Sequence, residues 1–286
     1  MKNSFFFFDG KKQFNIEKFD TSYTDKFKNK DQVKDKIEKN IAEMTELQEK
    51  LYAENKESLL IIFQAMDAGG KDSAIKHVMH GVNPQGIDVY NFKQPSVEEL
   101  SHDFLWRAMK LTPASGKMCI FNRSYYEEVL IAKVHKLYES ENLPDRCKDS
   151  NIMEQRYKDI KNFENYLWNN GTRVIKFFLN ISKDEQKKRF LDRINDEAKN
   201  WKFSEADIKE RAYWNDYQKA YEKAINATAT VNCPWYVIPA DKKWFARFLI
   251  SEIIVKALKE IDPKYPSLSE EEKKSLDKYR RDLLAD

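Results

Sequence analysis

Glycines and a lysine in residues 65–73 make this segment well suited to bind phosphate. It reads Ala-Met-Asp-Ala-Gly-Gly-Lys-Asp-Ser and overlaps the end of an apolar run at 58–66 that is typical of a buried strand. At such a turn from strand to helix, backbone N–H groups surround phosphate oxygens and a lysine adds positive charge. The spacing from Ala65 to Lys71 equals that of a P-loop, so we predict a catalytic role for Lys71. The phosphate-binding residues predicted here are Ala68, Gly69, Gly70, Asp72 and Ser73.

Asp67 is the most informative residue of this loop, because a carboxylate repels phosphate at short range. Its presence makes sense where a metal ion bridges the two charges or where it orients an attacking phosphate oxygen. We therefore predict that Asp67 is catalytic and binds Mg²⁺, with Mn²⁺ as the alternative ion. Two positions depart from the usual pattern: Ala65 replaces a glycine, and Asp72 stands where Ser or Thr normally contacts the metal. The structural alternative is a glycine-rich turn that only caps a helix.

A second polar group, Asn122, Arg123 and Glu127, lies at the end of a predicted strand at 117–123. Ligands of open α/β sheets bind at the carboxyl ends of strands, so this group is expected to face the loop at 65–73. Asn122 occupies a position where Asp often holds Mg²⁺, so the metal relies on Asp67 and Glu127. We predict that Arg123 and Glu127 are catalytic and that Asn122 binds phosphate or nucleotide. A surface ion pair is the alternative for Arg123.

Basic residues are dense at 183–193, within a predicted lid at about 183–215. A basic helix of this kind can close over a transferring phosphate and exclude water, whereas the alternative is a solvated face. We predict that Arg189 and Arg193 bind phosphate, together with Lys93. Further cations that could add positive potential are Lys76, His77, His80, Arg107, Lys187 and Lys188.

The hydrophobic pattern predicts five strands separated by helices. The strands are expected at 58–66, 87–93, 117–123, 172–181 and 235–239. The helices are expected at 31–56, 71–80, 98–111, 125–138, 152–169, 184–196, 204–226 and 242–260. This alternation predicts a three-layer α/β fold with a five-stranded parallel sheet and helices on both faces. Together with the loop at 65–73 and the basic segment at 183–193, it predicts the P-loop kinase type with a helical lid. Residues 1–286 are expected to form a single domain, with a helical extension at 1–57 and a surface tail at 263–286.

Composition excludes several other classes of protein. The net charge of the 286 residues is +3, so a nucleic-acid-binding protein is not expected. Three widely spaced cysteines predict neither a disulfide framework nor a zinc site, and the four histidines lack metal-binding spacing. No apolar run reaches the ~20 residues that span a bilayer, and the four phenylalanines near the start are too short a run for a signal sequence. We expect a cytoplasmic protein without membrane partners.

Several segments in order resemble the polyphosphate kinase 2 family. They are AMDAGGKDS, HGVNPQGIDVYNFKQPS, HDFLWR, FNRSYYEEVLIAKVH, KFFLNISKDEQKKRFLDR and NWKFSEADIKERAYWNDYQKAY, and they cover most of residues 60–240. The resemblance implies a thymidylate-kinase-type fold with a helical lid and Mg²⁺-dependent transfer of phosphate between polyphosphate and nucleotides. It also implies that Asp67 and Lys71 belong to the Walker A site and that Arg189 and Arg193 contact phosphates.

The resemblance further implies how broad the acceptor range is. The FNRSYYE form is similar to the class that accepts both nucleoside mono- and diphosphates, and the position of Glu127 is implicated in that breadth. We expect reversible transfer of the terminal phosphate of polyphosphate to AMP and/or ADP, as in ATP regeneration, with adenine or guanine nucleotides as partners. A homo-oligomer, dimer or tetramer, is also expected.

Two other functions remain open from the sequence. An ATP-dependent nucleoside monophosphate kinase would share the loop, although Asp72 after Lys71 argues against it. A non-catalytic P-loop protein that binds polyphosphate or nucleotide is the other alternative, although the mobile loops of a nucleotide switch are not evident. Polyphosphate lacks a base, so its site needs only a groove of Lys and Arg. A strongly positive groove inside this nearly neutral chain is therefore a structural prediction.

Overall fold

The computed structural model describes residues 5–285, so residues 1–4 of the predicted extension and residue 286 of the predicted tail lie outside it. Within the described residues, six strands form one sheet in the order β1-β6-β5-β2-β4-β3. The strands are β1 (Phe7–Phe8), β2 (Ser58–Gln64), β3 (Ile87–Asn91), β4 (Met118–Asn122), β5 (Thr172–Asn180) and β6 (Trp235–Pro239). The strands β2 to β6 are parallel, which confirms the five-stranded parallel sheet.

The short strand β1 is an addition that the sequence did not predict. It pairs antiparallel with β6, placing Phe7 opposite Tyr236 and Phe8 opposite Trp235. Phe6 and Phe8 are buried, whereas Phe5 and Phe7 are more accessible, so the phenylalanine run alternates as a strand does. The four phenylalanines therefore close one edge of the sheet.

Helices cover both faces of the sheet. They are α1 (Asp31–Glu54), α2 (Lys71–Val78), α3 (Val97–Leu100), α4 (Trp106–Met109), α5 (Ile131–Val134), α6 (Ile152–Asn169), α7 (Lys183–Asn195), α8 (Glu205–Glu210), α9 (Trp214–Thr228), α10 (Lys243–Ile261) and α11 (Glu270–Ala285). On one face of the sheet, α10 packs against α1 and α2. On the other face, α9 packs against α5 and α6, and α6 also contacts β5. Every residue of β2 is buried between the layers, which explains its uninterrupted apolar sequence. The described part of the chain contains no helix long and apolar enough to cross a membrane.

Three predicted helices are interrupted, so those predictions were wrong in length. The stretch 98–111 is divided into α3 and α4, because the Asp103 carboxylate accepts a hydrogen bond from the Leu105 N–H and starts a new turn. The stretch 125–138 is interrupted at Leu130, whose backbone leaves the helical region, and again at Lys136, which has φ +52°. The stretch 204–226 is divided by a 3-10 turn at Arg211–Tyr213.

Adjacent parallel strands bring the two predicted polar groups to one edge of the sheet. In the register of β2 and β4, Phe63 lies opposite Asn122. The Arg123 N–H continues the ladder by donating to the Phe63 carbonyl at 2.9 Å. The loop after β2 and the turn after β4 therefore leave the sheet side by side, as the rule for carboxyl ends of strands predicts.

Candidate active site

Two positions in the loop between β2 and α2 require glycine. Gly70, which precedes α2, has φ +98°, a conformation that favours glycine. A Cβ atom on Gly69 would lie 2.5 Å from the Ala65 Cβ and 2.7 Å from the Met66 carbonyl oxygen. These two glycines therefore allow the tight turn that leads into α2.

Lys71 begins α2 and folds back beneath the loop. Its ammonium donates to the Ala65 carbonyl oxygen at 3.0 Å, and its side chain is largely buried. Burial, reinforced by the nearby Arg123 guanidinium, lowers the pKa of Lys71 despite the carboxylates of Asp67, Glu127 and Asp72. A poorly solvated ammonium beneath this loop is suited to bind an anionic group.

Arg123 joins the loop to the turn after β4. Its Nη2 donates to Asp67 Oδ1 at 2.8 Å, and its Nη1 lies 3.9 Å from Glu127 Oε2. Arg123 has φ +61°, which turns its side chain out of the direction of the strand. Glu127 also accepts a hydrogen bond from Gln64 Nε2 at 2.9 Å. The structure thus brings together the four residues predicted as catalytic: Asp67, Lys71, Arg123 and Glu127.

Asn122 bridges the loop and the neighbouring strand. Its Nδ2 donates to Asp72 Oδ1 at 2.8 Å and to Asn91 Oδ1 at 2.7 Å. Its own Oδ1 atom is buried and has no hydrogen-bond partner among residues 5–285. A buried acceptor without a donor is costly, so this oxygen is suited to accept a bond from a ligand or water, or to contact a cation.

The two predicted arginines of α7 differ in their surroundings. Arg189 is 5% exposed, and its guanidinium donates to the carbonyl oxygens of Ala68 and Gly69, both at 3.0 Å, and of Ala240 at 2.5 Å. It therefore braces the loop from beneath. Arg193 is more accessible and pairs with Asp207 at 3.1 Å. Its guanidinium is half-buried, also donates to the Lys202 carbonyl at 3.1 Å and lines the large cavity beside the loop, where a phosphate could replace these partners.

A large cavity of about 1020 Å³ opens beside the loop. The cations that line it are Lys71, Lys76, Lys93, Arg123, Arg189, Arg193, Lys199, Lys202 and Lys243. The carboxylates that line it are Asp67, Asp72 and Asp192. Among the described residues, nine cations therefore face three anions, an excess of +6. The cavity is also lined by all the loop residues predicted to bind phosphate and by Asn122. The predicted positive groove is therefore present.

Sequence reasoning missed several of these cations. Lys199 and Lys202 belong to a 3-10 turn after α7, and Lys243 begins α10 directly after β6. Lys243 could have been predicted, because it follows the carboxyl end of β6, where ligands of such sheets bind. Five other cations named from the sequence are not among the lining residues of this cavity: His77, His80, Arg107, Lys187 and Lys188. Arg107 instead donates to the Lys93 carbonyl oxygen at 2.9 Å.

A second, smaller cavity of about 50 Å³ adjoins the first. Asp67 and Arg123 line both cavities, so their ion pair lies at the boundary between them. Glu127 lines only the smaller cavity, together with side chains of α8 and α9 such as Asp207 and Tyr221. The carboxylate–guanidinium pair therefore separates the large cavity, which has the size of a ligand pocket, from a second cavity that is far smaller.

The oxygen atoms of the larger cavity fit a hard divalent ion. Mg²⁺ in proteins is bound by one or two carboxylates and completes its shell with water and substrate phosphates. Asp67 and Asp72 supply carboxylates, and the unpaired Oδ1 of Asn122 is a further oxygen. Residues 5–285 contain no cluster of three or more His, Cys, Asp or Glu side chains placed to hold a metal alone. The donor set therefore suits an ion shared with a phosphate ligand.

Comparison with known proteins gives a consistent result. A family model described as polyphosphate kinase 2 matches residues 27–266. The chain is 45% identical over 271 residues to the ADP-polyphosphate phosphotransferase of Rhodopseudomonas palustris, which covers 94% of each chain. It is 44% identical over 223 residues to the AMP/ADP-polyphosphate phosphotransferase of Meiothermus ruber, which covers 78% of this chain and 80% of the relative. The solved structure of polyphosphate kinase 2 from Arthrobacter aurescens TC1 superimposes with a TM-score of 0.84, at 40% identity and 92% coverage of both chains.

Proposed function

Because the chain belongs to the polyphosphate kinase 2 family, we propose that it transfers the terminal phosphate of inorganic polyphosphate to AMP and to ADP. It is a polyphosphate-dependent nucleotide phosphotransferase. We propose in addition which nucleotides it accepts, which metal it uses and what each site residue does. The observation that carries it is the large cavity, in which nine cations face three carboxylates around the loop at 65–73. A polyanion without a base needs such a lining and little else.

We place the polyphosphate chain in the large cavity with its terminal phosphate at the boundary marked by Asp67 and Arg123. A terminal phosphate oxygen of the nucleotide attacks the terminal phosphorus of the chain. The new P–O bond forms as the bond to the bridging oxygen breaks, and the shortened chain leaves with that electron pair. Because the attacking oxygen is already an anion, no general base is required.

The protein contributes position and positive charge to this step. Lys71 and Arg123 stabilise negative charge on the phosphoryl group and the leaving oxygen, an effect worth several kcal/mol in such sites. Asp67 holds the Arg123 guanidinium in place and would hold Mg²⁺ with Asp72. Glu127, the partner expected from the sequence, lines only the smaller cavity. When bound, Mg²⁺ supplies charge neutralisation between the phosphate oxygens and these carboxylates. Mn²⁺ accepts the same ligands.

Glu127 is proposed to set the acceptor range. It lies on the side of Arg123 away from the large cavity, where an acceptor would approach. The Meiothermus ruber relative is named for both AMP and ADP. On this proposal the same site accepts a nucleotide with one or with two phosphates.

We also propose that residues 1–286 form one P-loop kinase domain in which 183–215 acts as a lid, and that the chain forms a homo-oligomer. Support for one domain comes from a single hydrophobic core between Phe6 and Leu258 that includes buried residues of β2, β4, β5 and β6, with Ile87 and Tyr90 of β3 packed against it. The tail is separate from this core, because α11 has no buried residue.

The test is a nucleotide assay with purified protein, Mg²⁺ and long-chain polyphosphate, supplied with AMP or ADP separately. The Asp67→Asn variant is measured beside the wild type. The matched control is Asp159→Asn, which alters a half-buried carboxylate on α6 that accepts a hydrogen bond from Gln155. We expect ATP from ADP, and ADP and ATP from AMP, with both reactions lost in Asp67→Asn and kept in Asp159→Asn. Turnover with ATP but not with polyphosphate as donor would refute the proposal. Binding of polyphosphate without any turnover would do the same.

A further inference from the structure

The turn that carries Arg123 and Glu127 is anchored on its far side by two tyrosines. Tyr125 and Tyr126 lie between these residues in the chain, and both are almost completely buried. Their side chains enter the layer formed by α6 and α9, while Arg123 and Glu127 line the cavities. The same short segment therefore has one side in the site and the other in the core.

Both tyrosine hydroxyls converge on one carboxylate. Glu164 Oε1 accepts a hydrogen bond from Tyr125 at 2.9 Å and from Tyr126 at 2.8 Å. Glu164 is 1% exposed, and its other oxygen pairs with the ammonium of Lys176, which is fully buried in β5. Lys176 also donates to the Thr228 carbonyl at 3.1 Å. The group links β5, α6 and α9 to the turn after β4.

A contribution to the stability of the fold does not explain why Glu164 and Lys176 form an ion pair in the core. Removing two charges from water costs several kcal/mol each, and apolar residues of similar volume are often equally stable or better. The tyrosines, however, need an acceptor. Burial and the Glu164 carboxylate raise the pKa of Tyr125 and Tyr126 well above the usual value, so both hydroxyls remain protonated and donate.

We propose that Glu164 and Lys176 act, through the hydroxyls of Tyr125 and Tyr126, as positioning residues for Arg123 and Glu127. Arg123 has φ +61°, an unfavourable backbone for a side chain of its size, and it needs support from its neighbours. The two hydroxyl bonds hold residues 125 and 126, which lie between Arg123 and Glu127, and so fix the segment that carries both. A displacement of about 1 Å at a catalytic group can reduce a rate by about 10²-fold.

The first experiment removes the two hydroxyls and leaves the rings. The Tyr125→Phe/Tyr126→Phe variant is compared with Tyr157→Phe, in which another buried tyrosine loses the hydroxyl that Lys133 contacts at 3.2 Å. Measured well below the thermal midpoint, kcat of the double variant should fall about tenfold or more, with KM for polyphosphate within about twofold. Tyr157→Phe should keep the wild-type kcat. If the double variant loses thermal stability yet keeps the wild-type kcat, the network is only structural and the inference is wrong.

The second experiment separates the acceptor from the charges. Glu164→Gln/Lys176→Met and Glu164→Leu/Lys176→Met both remove the ion pair, but only the first keeps an oxygen at residue 164 for the two hydroxyls. In both variants Tyr126 retains Thr228 Oγ1 at 2.8 Å, so the leucine variant leaves Tyr125 without its acceptor. We expect kcat of the glutamine variant to lie about tenfold above that of the leucine variant. Equal kcat values would overturn the inference. The inference depends on the proposed site but not on the proposed donor, because kcat is compared with whichever donor, polyphosphate or ATP, the wild type uses.

Discussion

The Arg123 guanidinium and the Asp67 carboxylate lie 2.8 Å apart and connect the turn after β4 to the loop after β2. Their side chains are 40% and 27% exposed, so both still contact solvent. Exposed pairs of this kind contribute little to stability, about 0–1 kcal/mol. Under the proposed function this pair reorganises when phosphate and metal enter, so we expect changes to it to affect the reaction more than stability.

Arg123→Lys should impair catalysis far more than stability. Lysine keeps the charge but lacks the planar guanidinium that reaches Asp67 and a phosphate together, so kcat should fall about 10- to 100-fold. The thermal midpoint should change little. The control is Arg173→Lys, at an ion pair with Glu57 near the start of β5, which should keep kcat. A wild-type kcat in Arg123→Lys would contradict the proposed role.

Lys71→Met should abolish turnover without lowering stability. The pKa of Lys71 is lower in the folded protein than in the unfolded chain. Below the folded pKa, the charged lysine therefore costs stability, and this cost disappears as the pH rises to the unfolded pKa. Methionine removes the penalty at neutral pH. We expect an equal or higher thermal midpoint in phosphate-free buffer and a smaller rise in the midpoint with tripolyphosphate than in the wild type.

The control for this change is Lys133→Met. Burial also lowers the pKa of Lys133, but this lysine does not line the large cavity. Its variant should keep activity and the full response to tripolyphosphate. An unfolded Lys71→Met protein, or one that tripolyphosphate stabilises as much as the wild type, would refute the assignment of Lys71.

Asn122→Asp should make the protein depend more on Mg²⁺. The amide donates to Asp72 at 2.8 Å and to Asn91 at 2.7 Å, and a carboxylate would instead repel Asp72. The thermal midpoint in EDTA should fall, and Mg²⁺ should raise it by more than in the wild type. Asn170→Asp, at an exposed amide after α6, is the control. An unchanged midpoint in EDTA would count against this arrangement of Asp72.

Glu128→Gln should change how stability depends on pH. Burial raises the pKa of Glu128 to about 7, although Arg156 opposes this from 3.3 Å. Arg156 is also engaged by Glu141 at 2.5 Å, so its effect on Glu128 is shared. Since the folded pKa exceeds the unfolded value, Glu128 costs stability progressively as the pH rises from about 4.5 to about 7.

The glutamine variant lacks this titration. The free energy of unfolding of Glu128→Gln minus that of the wild type should therefore increase between pH 5 and pH 8 in urea titrations. Glu205→Gln, at an exposed ion pair with Lys209, should show no such trend. A difference that stays constant with pH would show that Glu128 titrates normally in the folded protein.

The sequence predicted the centre of the site because its signals are local. The loop at 65–73 and the turn at Arg123 each follow a continuous apolar strand, and the rule for carboxyl ends brings them together. Lys199 and Lys202 could not be placed, because their approach depends on the path of the chain after α7. The buried orientation of Arg189 was likewise hidden, since a basic helix does not reveal which side meets the loop.

The elements themselves show the same limit. Strands buried on both faces were predicted almost to the residue, as for β6. The helix predicted at 98–111 failed because one aspartate side chain, Asp103, competes for backbone N–H groups. The strand β1 escaped prediction because two residues acquire their structure only by pairing with β6. Local sequence is therefore a poor guide to secondary structure where pairing with a distant segment determines it.

The charge of the large cavity divides the molecule into two electrostatic regions. The whole chain has a net charge of +3 and the cavity lining an excess of +6, so the remainder carries 3 − 6 = −3. A sulfonate chromatography resin should therefore hold the protein by the mouth of the cavity, in one preferred orientation. Polyphosphate should release it at an ionic strength at which sodium chloride does not, which gives a purification step selective for molecules with an intact site.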